Sequence, residues 1–345
     1  MTRHEALRFL RGAREFHLAG VDAQGRPVLR TLNGVVVDDV LCFHASPKGE
    51  KTSLVGRLVV ASVEEHVAGV PSYFVDPERA CPATTLYRAV QVHGVLEPIE
   101  APEAKARVLQ ALMEKLQPEG GHAPIHAEHP LYRAPVRGLL IAGLRLDDVT
   151  GKAKLAQNRS PAERRVVLER LWARGDARAV ELIRQANPGD EPPPFLASPP
   201  GTTLHAWLPP EEAPEAAALL RGAYWNDEFT EAQLARAHAG SAVWVGARDA
   251  QGRLIASARV IADGGKIAWL YDVWVVEPWR GRGLGAAVVR LALDHAVVRA
   301  SNRVLLGTRD AQGLYAKFGF VPRTALPPRP WSSTEMVRLA SPSSP

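Results

Sequence analysis

The stretch Val273-Trp-Val-Val-Glu-Pro-Trp-Arg-Gly-Arg-Gly-Leu-Gly-Ala286 decides how the C-terminal half of this chain folds. A β-rich run from Ile267 to Val276 leads into Glu277-Pro278, which cannot continue a hydrogen-bonded ladder. Then comes Arg280-Gly-Arg-Gly-Leu-Gly285, and after it Val288, Val289, Leu291, Leu293 and Val297 recur at roughly helical spacing. The reading is strand, glycine-rich turn, helix. Such a turn leaves backbone N–H groups unpaired at a helix N-terminus, where they and the helix dipole favour an anion, typically phosphate. Gly281, Gly283 and Gly285 carry no side chain to hold that anion away. Two common phosphate loops are excluded by spacing. A Walker loop needs Lys-Ser/Thr after its last glycine, and a Rossmann turn needs G-x-G-x-x-G, whereas this turn reads G-x-G-x-G.

The pattern met here is R/Q-x-x-G-x-G/A, at Arg280, Gly283 and Gly285. About thirty residues on stands Leu314-Tyr-Ala-Lys-Phe-Gly-Phe320. The two motifs together, over about residues 203–340, resemble the GNAT acetyltransferases, which bind acetyl-CoA. The resemblance implies that the N–H groups of Gly281, Arg282, Gly283, Leu284, Gly285 and Ala286 take the pyrophosphate, with Arg280 and Arg282 adding charge. It also implies that the backbone from Val273 to Val275 pairs with the pantetheine arm. Thr308 stands where the family often has an asparagine, and Tyr315 matches the tyrosine near the thioester sulfur. An alkylamine acceptor is mostly protonated at neutral pH, so a base is expected. The candidates are Asp272, on the opposite strand face from Val273, and Asp227 and Glu228 in the loop Tyr224–Phe229. Trp225 in that loop suggests an acceptor wall and a small amine.

A chain of 345 residues is too long for one ordinary core, so two domains are expected. Cys42 and Cys81 give neither a disulfide framework nor a zinc pattern, and no metal site is expected. His66, His93, His122, His126 and His129 have no metal-ligand spacing and read as structural. The start Met-Thr-Arg-His-Glu has no apolar leader, and no run of about 18 apolar residues occurs. The expectation is a cytoplasmic protein with no membrane partner. The net charge of +5 comes from scattered arginines, which fits anionic cofactors better than nucleic acid.

Upstream, a short helix at 3–15 precedes strands at Phe16–Val21 and Arg26–Leu32, joined by the turn Asp22-Ala-Gln-Gly25. A second hairpin, Gly34–Val37 and Val40–His44, turns at Asp38-Asp39. Strands follow at Leu58–Val63 and Leu86–Leu96, a helix at Glu103–Leu116, and a last strand at Arg137–Leu146. Many strands with few helices predict a β-barrel. Ser160-Pro-Ala-Glu163 is a capping box that starts a helix, and a second helix runs to Ala186. The proline-dense stretch 188–202 is the expected extended linker. It divides residues 1–187 from residues 203–345, where the predicted order is β-α-α-β-β-β-α-β-α-β with a final strand near Thr334–Leu339.

In the N-terminal part, Arg30-Thr-Leu-Asn-Gly-Val-Val-Val37, Phe43-His-Ala-Ser-Pro-Lys-Gly-Glu-Lys51 and Arg79-Ala-Cys-Pro-Ala-Thr-Thr85 resemble FMN-binding split barrels related to pyridoxamine 5′-phosphate oxidase, nearest the nitroimidazole-resistance branch. Gly151-Lys-Ala-Lys-Leu-Ala-Gln-Asn-Arg159 is similar to a segment of PaiB-type regulators. By position, the resemblance makes Arg30 and Lys51 the phosphate ligands and places Thr31, Phe43, His44 and Ser46 along the flavin. It implies a homodimer with the flavin between subunits. The Arg-x-x-Pro signature that ends true pyridoxamine phosphate oxidases is not in its place, which argues against pyridoxine chemistry.

The fold class expected is a two-domain α+β chain, an FMN-binding split β-barrel followed by a GNAT α/β domain. Its expected function is N-acetylation of a small amine from acetyl-CoA, fused to a flavin reductase or oxidase. A nitro group reduced by one domain and acetylated by the other would give the fusion a chemical logic. The alternative is that the first domain is a non-catalytic FMN- or haem-binding sensor module and only the second is an enzyme.

Overall fold

A computed structural model of the chain describes residues 1–327 together with Thr334, Met336 and Arg338. They form two compact units. The first is Met1–Leu171 with Arg178–Glu191; the second is Trp172–Ala177 with the chain from Pro192 onward.

The first unit begins with α1 (Arg3–Gly12), capped by Thr2 and Glu5 in a reciprocal capping box. Then come β1 (Glu15–Val21), β2 (Pro27–Asn33), β3 (Val35–Val37), β4 (Val40–Ala45), β5 (Leu58–Val70), β6 (Thr84–Val95) and β7 (Glu97–Pro98). After α2 (Pro102–Leu116) and α3 (Arg133–Gly138) stand β8 (Leu140–Arg145) and β9 (Asp148–Lys154), and then α4 (Pro161–Arg174) and α5 (Ala177–Ala186), whose adjoining ends, Trp172–Ala177, belong to the second unit. The strands make two open sheets, ordered β2-β1-β5-β6-β9 and β3-β4-β8-β7, rather than one closed barrel. Between them lies one apolar core, in which Phe16, Leu18 and Val63 of the first sheet meet Phe43 and Leu144 of the second. Both predicted turns follow their chemistry. The Asp22 carboxylate accepts from the Gln24 and Arg26 N–H groups, each at 2.9 Å. Asp38 and Asp39 both take the left-handed backbone (φ 48° and 56°) that a two-residue hairpin turn demands.

Two expectations are corrected here. Arg137–Leu146 is not the last strand: residues 137 and 138 end α3, and β9 follows to pair along β6. Its sequence, Asp-Val-Thr-Gly-Lys-Ala-Lys, is too polar to announce a strand. The stretch expected as an extended linker, 188–202, is not extended throughout. Pro194–Leu196 forms a 3₁₀ turn, Leu196 is buried, and the Arg290 guanidinium donates to the Ala197 carbonyl at 2.8 Å.

In the second unit, β10 (Thr202–His205) is followed by α6 (Ala213–Leu219), whose first turn is tightened to 3₁₀ at Pro210–Glu212. A 3₁₀ turn at Tyr224–Asn226 precedes α7 (Glu231–Ala239), again opened by a reciprocal capping box, Thr230 with Gln233. Then come β11 (Val243–Asp249), β12 (Leu254–Ala262), β13 (Ile267–Val275), α8 (Leu284–Asp294), α9 (Ala296–Arg299), β14 (Arg303–Leu305) and α10 (Gln312–Ala316). The sheet order is β10-β11-β12-β13-β14. Only the last pair is parallel, as a crossover through α8 and α9 requires. The final strand expected near Thr334–Leu339 lies outside the described residues, three isolated positions apart. Every described tryptophan belongs to this unit, including Trp172, whose indole stacks on Phe195 and donates to Asp294 at 2.6 Å.

Candidate active site

The site is built where β13 stops pairing regularly. Ser257 faces Trp274 and Arg259 faces Tyr271, so Asp272 and Val273 together oppose the single residue Ala258. This is a β-bulge, and Asp272 takes the strained turn in it, with φ at 51°. Past the bulge, β13 pairs with β12 again at Trp274 and Val275, whereas its pairing with β14 has already ended at Trp269. The Asp272 side chain is held in place by three donors. Arg259 Nε approaches to 2.5 Å, Trp225 Nε1 to 3.0 Å and Asn226 Nδ2 to 3.2 Å. Burial pushes its pKa up, but the Arg259 charge and these hydrogen bonds outweigh burial and hold it below the ordinary carboxylate value.

After β13, the chain makes a 3₁₀ turn at Glu277–Trp279 and enters α8 through the glycine turn. Gly281 and Gly283 have φ of 72° and 85°, a conformation that side chains resist. The N–H groups of residues 281 through 286 have no hydrogen-bond partner among the described residues. Leu284, Val288, Val289, Leu291 and Ala292 bury the inner face of α8, fixing the orientation of those six donors. Arg280 lies over the Trp274 ring at 4.9 Å and donates from Nε to the Val275 carbonyl at 3.0 Å. Arg282 lies over Trp279 at 5.1 Å.

A cleft of about 1130 Å³ begins at this turn. Of the residues expected in the site, Asp272, Val273, Val275, Arg280, Gly285, Thr308 and Tyr315 line it. Gly281, Arg282, Gly283, Leu284 and Ala286 are not on its wall, and the Leu284 side chain is in the core. Tyr315 is buried, and its hydroxyl has no hydrogen-bond partner among the described residues. Burial chiefly, with Tyr224 and Asp310 nearby, raises its pKa above the ordinary phenol value. Thr308 Oγ1 accepts from the Ala311 N–H at 3.0 Å, in the turn just before α10, while its proton stays available. Asp227 and Glu228 are exposed and are not on the cleft wall, although Tyr224, Trp225, Asn226 and Phe229 of the same loop are.

Several wall residues were not singled out from sequence: Arg259, Trp269, Tyr271, Arg309 and Asp310. Trp269 and Tyr271 carried a usable signal, two aromatics at period two on the strand that ends in the glycine turn. Arg259 carried one too, as the one charged residue of β12, whose other members are apolar but for Ser257.

In the first unit, the residues expected around a flavin are split by burial. Phe43 has its ring in the core against Phe16, centroids 6.0 Å apart, which leaves its backbone for a ligand to meet. The next residue on β4, His44, faces outward and is exposed. Arg30 pairs with Glu50, which brings its guanidinium to the 3₁₀ turn Glu50–Leu54 that carries Lys51. Thr31 Oγ1 lies 3.2 Å from His17 Nδ1, and Ser46 Oγ accepts from the Lys48 N–H at 3.3 Å. Arg30 thus reaches the turn on which Lys51 stands, residue types suited to a phosphate, which would compete with Glu50 for Arg30. Cys42 is buried, which pushes its thiol up to about 12, and Cys81 is exposed. Among the described residues no three His, Cys, Asp or Glu side chains cluster as metal ligands, and no helix is long and apolar enough to cross a membrane.

Comparison with known proteins agrees with this division. Residues 2–153 match the family model described as pyridoxamine 5′-phosphate oxidase, and residues 204–320 match that of the acetyltransferase (GNAT) family. A curated relative, glucosamine 6-phosphate N-acetyltransferase 1 of Oryza sativa subsp. japonica, is 38% identical over 96 residues. That match covers 26% of this chain and spans 58% of the relative's length. Among solved structures, the FAD and heme binding protein from Mycobacterium smegmatis is 22% identical, with a TM-score of 0.38, covering 44% of this chain and 71% of that one. A GNAT-family acetyltransferase structure from Xanthomonas campestris pv. campestris is 30% identical, with a TM-score of 0.33, covering 38% and 94%. The chain joins a pyridoxamine 5′-phosphate oxidase-like domain to a GNAT acetyltransferase domain.

Proposed function

We propose that the second domain transfers the acetyl group of acetyl-CoA to a small amine, and that the first holds FMN and acts as a flavin reductase or oxidase. The observation that carries the first part is the row of six unpartnered N–H groups at the mouth of a cleft that Tyr315 also lines. These donors and the α8 dipole would take the pyrophosphate, with Arg280 and Arg282 beside them. The bulged end of β13 would accept the pantetheine arm. Val273 is the freer position there, because the Val275 carbonyl already accepts from Arg280.

In the transfer, the amine nitrogen attacks the thioester carbonyl, the C–N bond forms, the C–S bond breaks, and coenzyme A leaves as a thiolate. A backbone N–H of the bulged strand would steady the developing oxyanion. Tyr315 would donate to the thiolate. With a phenol near 10 and a thiol near 8.5, complete proton transfer is uphill by about 2 kcal/mol, and the raised Tyr315 pKa makes it steeper. Its role is therefore hydrogen-bond stabilisation. Asp272 is assigned to positioning and not to proton abstraction, since its lone pairs and charge are committed to Arg259, Trp225 and Asn226.

For the first domain, Arg30 and Lys51 would hold the FMN phosphate, with Thr31, His44 and Ser46 nearby. FMN would supply electron transfer to a small aromatic or nitro compound. The exposed Leu29 beside Arg30 supports burial of this surface in a homodimer.

The test is direct. Titration with acetyl-CoA should show one site per chain, and thiol release should follow addition of an amine. Glucosamine 6-phosphate belongs in the first panel because the curated relative is named for it. The absorption spectrum of the purified protein should show flavin bands, with FMN released on denaturation. A Soret band would move the reading to haem. A colourless protein that FMN cannot reconstitute would leave the first domain as a scaffold.

A further inference from the structure

The acceptor side of the cleft has an unusual wall. Trp269 and Tyr271 stand on one face of β13, stacked at 5.6 Å with their planes 16° apart, and each keeps more than a third of its surface exposed. The Arg259 guanidinium lies 5.0 Å from the Tyr271 ring centre, and Ile261 faces Trp269 across the ladder. Opposite, Trp225 and Phe229 of the loop before α7 are also partly exposed. Flat π-faces with apolar rims favour a flat ring as their guest.

The charges on the wall point the same way. Among the described residues lining the cleft, the carboxylates are Asp272 and Asp310. Asp272 is buried and tied to Arg259, and Asp310 stands 3.8 Å from Arg309. With Arg280 added, three arginines stand on this wall against two carboxylates, so it carries no excess of negative charge to draw an ammonium ion. An alkylamine, whose pKa is near that of lysine, arrives almost entirely protonated at neutral pH. It would have to lose its proton in a cleft where the buried carboxylate, Asp272, is held by Arg259 and the exposed one, Asp310, stands beside Arg309. An aromatic amine shares its nitrogen lone pair with the ring, so it is neutral at that pH and needs no base to become a nucleophile; its proton leaves only after attack.

We propose that the acceptor is a flat aromatic amine, its ring against Trp269 and Tyr271, acetylated as the neutral base it already is. The proposal rests on the acetyltransferase reading above. The step balances as aryl amine plus acetyl-CoA giving the aryl acetamide plus coenzyme A, with the amine's displaced proton ending on the thiol.

The experiment follows coenzyme A release from the full chain with p-anisidine and, as a ring of similar size with an alkyl-type amine, cyclohexylamine. Binding of acetyl-CoA is measured separately by calorimetry. The expected result is a kcat/KM for p-anisidine at least about tenfold higher, and level between about pH 6 and about pH 8. For cyclohexylamine, kcat/KM should climb about tenfold per pH unit as the free base appears. Trp269→Ala should raise the KM for p-anisidine about tenfold while acetyl-CoA still binds. Preference for cyclohexylamine overturns the proposal, and so does acetyl-CoA binding with transfer to neither amine. Both leave the acetyltransferase reading standing. Failure to bind acetyl-CoA overturns that reading and this one together. The wild-type comparison decides the matter if Trp269→Ala does not fold.

Discussion

Asp272 shows how one residue can be visible in sequence while its partner is not. A carboxylate on the strand before the cofactor turn looks like a base, and its strand and position are local facts. Its partner Arg259 sits 13 residues earlier on the neighbouring strand, and only the ladder register brings the two together. As a buried pair, they respond steeply to loss of one member. Asp272→Asn should cost about 3 kcal/mol of stability by leaving Arg259 uncompensated, and chemical denaturation would read this directly. Loss of activity with unchanged stability would instead restore Asp272 as the base. Tyr315 was legible because its motif is short and contiguous. Tyr315→Phe should lower kcat about 10²-fold with acetyl-CoA affinity retained, as expected for a donor acting on the leaving group. Its pKa lies above the ordinary phenol value, so it stays protonated through the neutral and mildly alkaline range, and no loss of rate from its ionisation is expected there.

At the scale of elements, the glycine turn was readable because everything that makes it is local: a strand run, a proline, positions needing positive φ, and a helical apolar stripe. Its three glycines are not equivalent. Gly283 has φ of 85°, whereas a methyl on Gly285 would meet only Val275 and Leu314 side chains at 3.6 and 3.8 Å, ordinary contact distances. Gly283→Ala should therefore cost about 1 kcal/mol or more and raise the acetyl-CoA Kd about tenfold. Gly285→Ala should fold and bind nearly as the native chain does, and the two can be compared by calorimetry. β9 was not legible, since its polar sequence is a strand only because β6 offers it an edge. The open form of the first unit's two sheets escaped sequence reading for the same reason. Alternation says which face of a strand is buried, but not which strand will be its neighbour. Phe43 and His44 show the limit within a single motif: adjacent in the resemblance, they face opposite ways on β4, and one is core.

For the whole molecule, the two units respond to conditions through different groups. In the second, His295 caps α9 by accepting from the Val297 N–H and packs edge-on against Trp172. Burial first, and Arg299 next, depress its pKa to about 4, and burial depresses that of His238 as well. The unfolded chain takes up a proton at each near pH 6.5, before the folded one does. Stability present above that pH is thus lost as pH falls toward 4, by about 3 kcal/mol for His295. Hydrogen exchange of peptides from β11 to β13 should accelerate over that window. His295→Asn, which keeps an acceptor for Val297, should flatten the change. The depressed carboxylates, Asp272 among them, act only at lower pH. The placement of the tryptophans has an optical consequence. All of the described ones lie in the acetyltransferase unit, and the last, Trp331, follows them in the chain. Indole emission from the intact protein is therefore a private channel for that half, and a bound flavin would give the other half its own colour. One cuvette can watch the two halves separately, without a label and without cutting the chain.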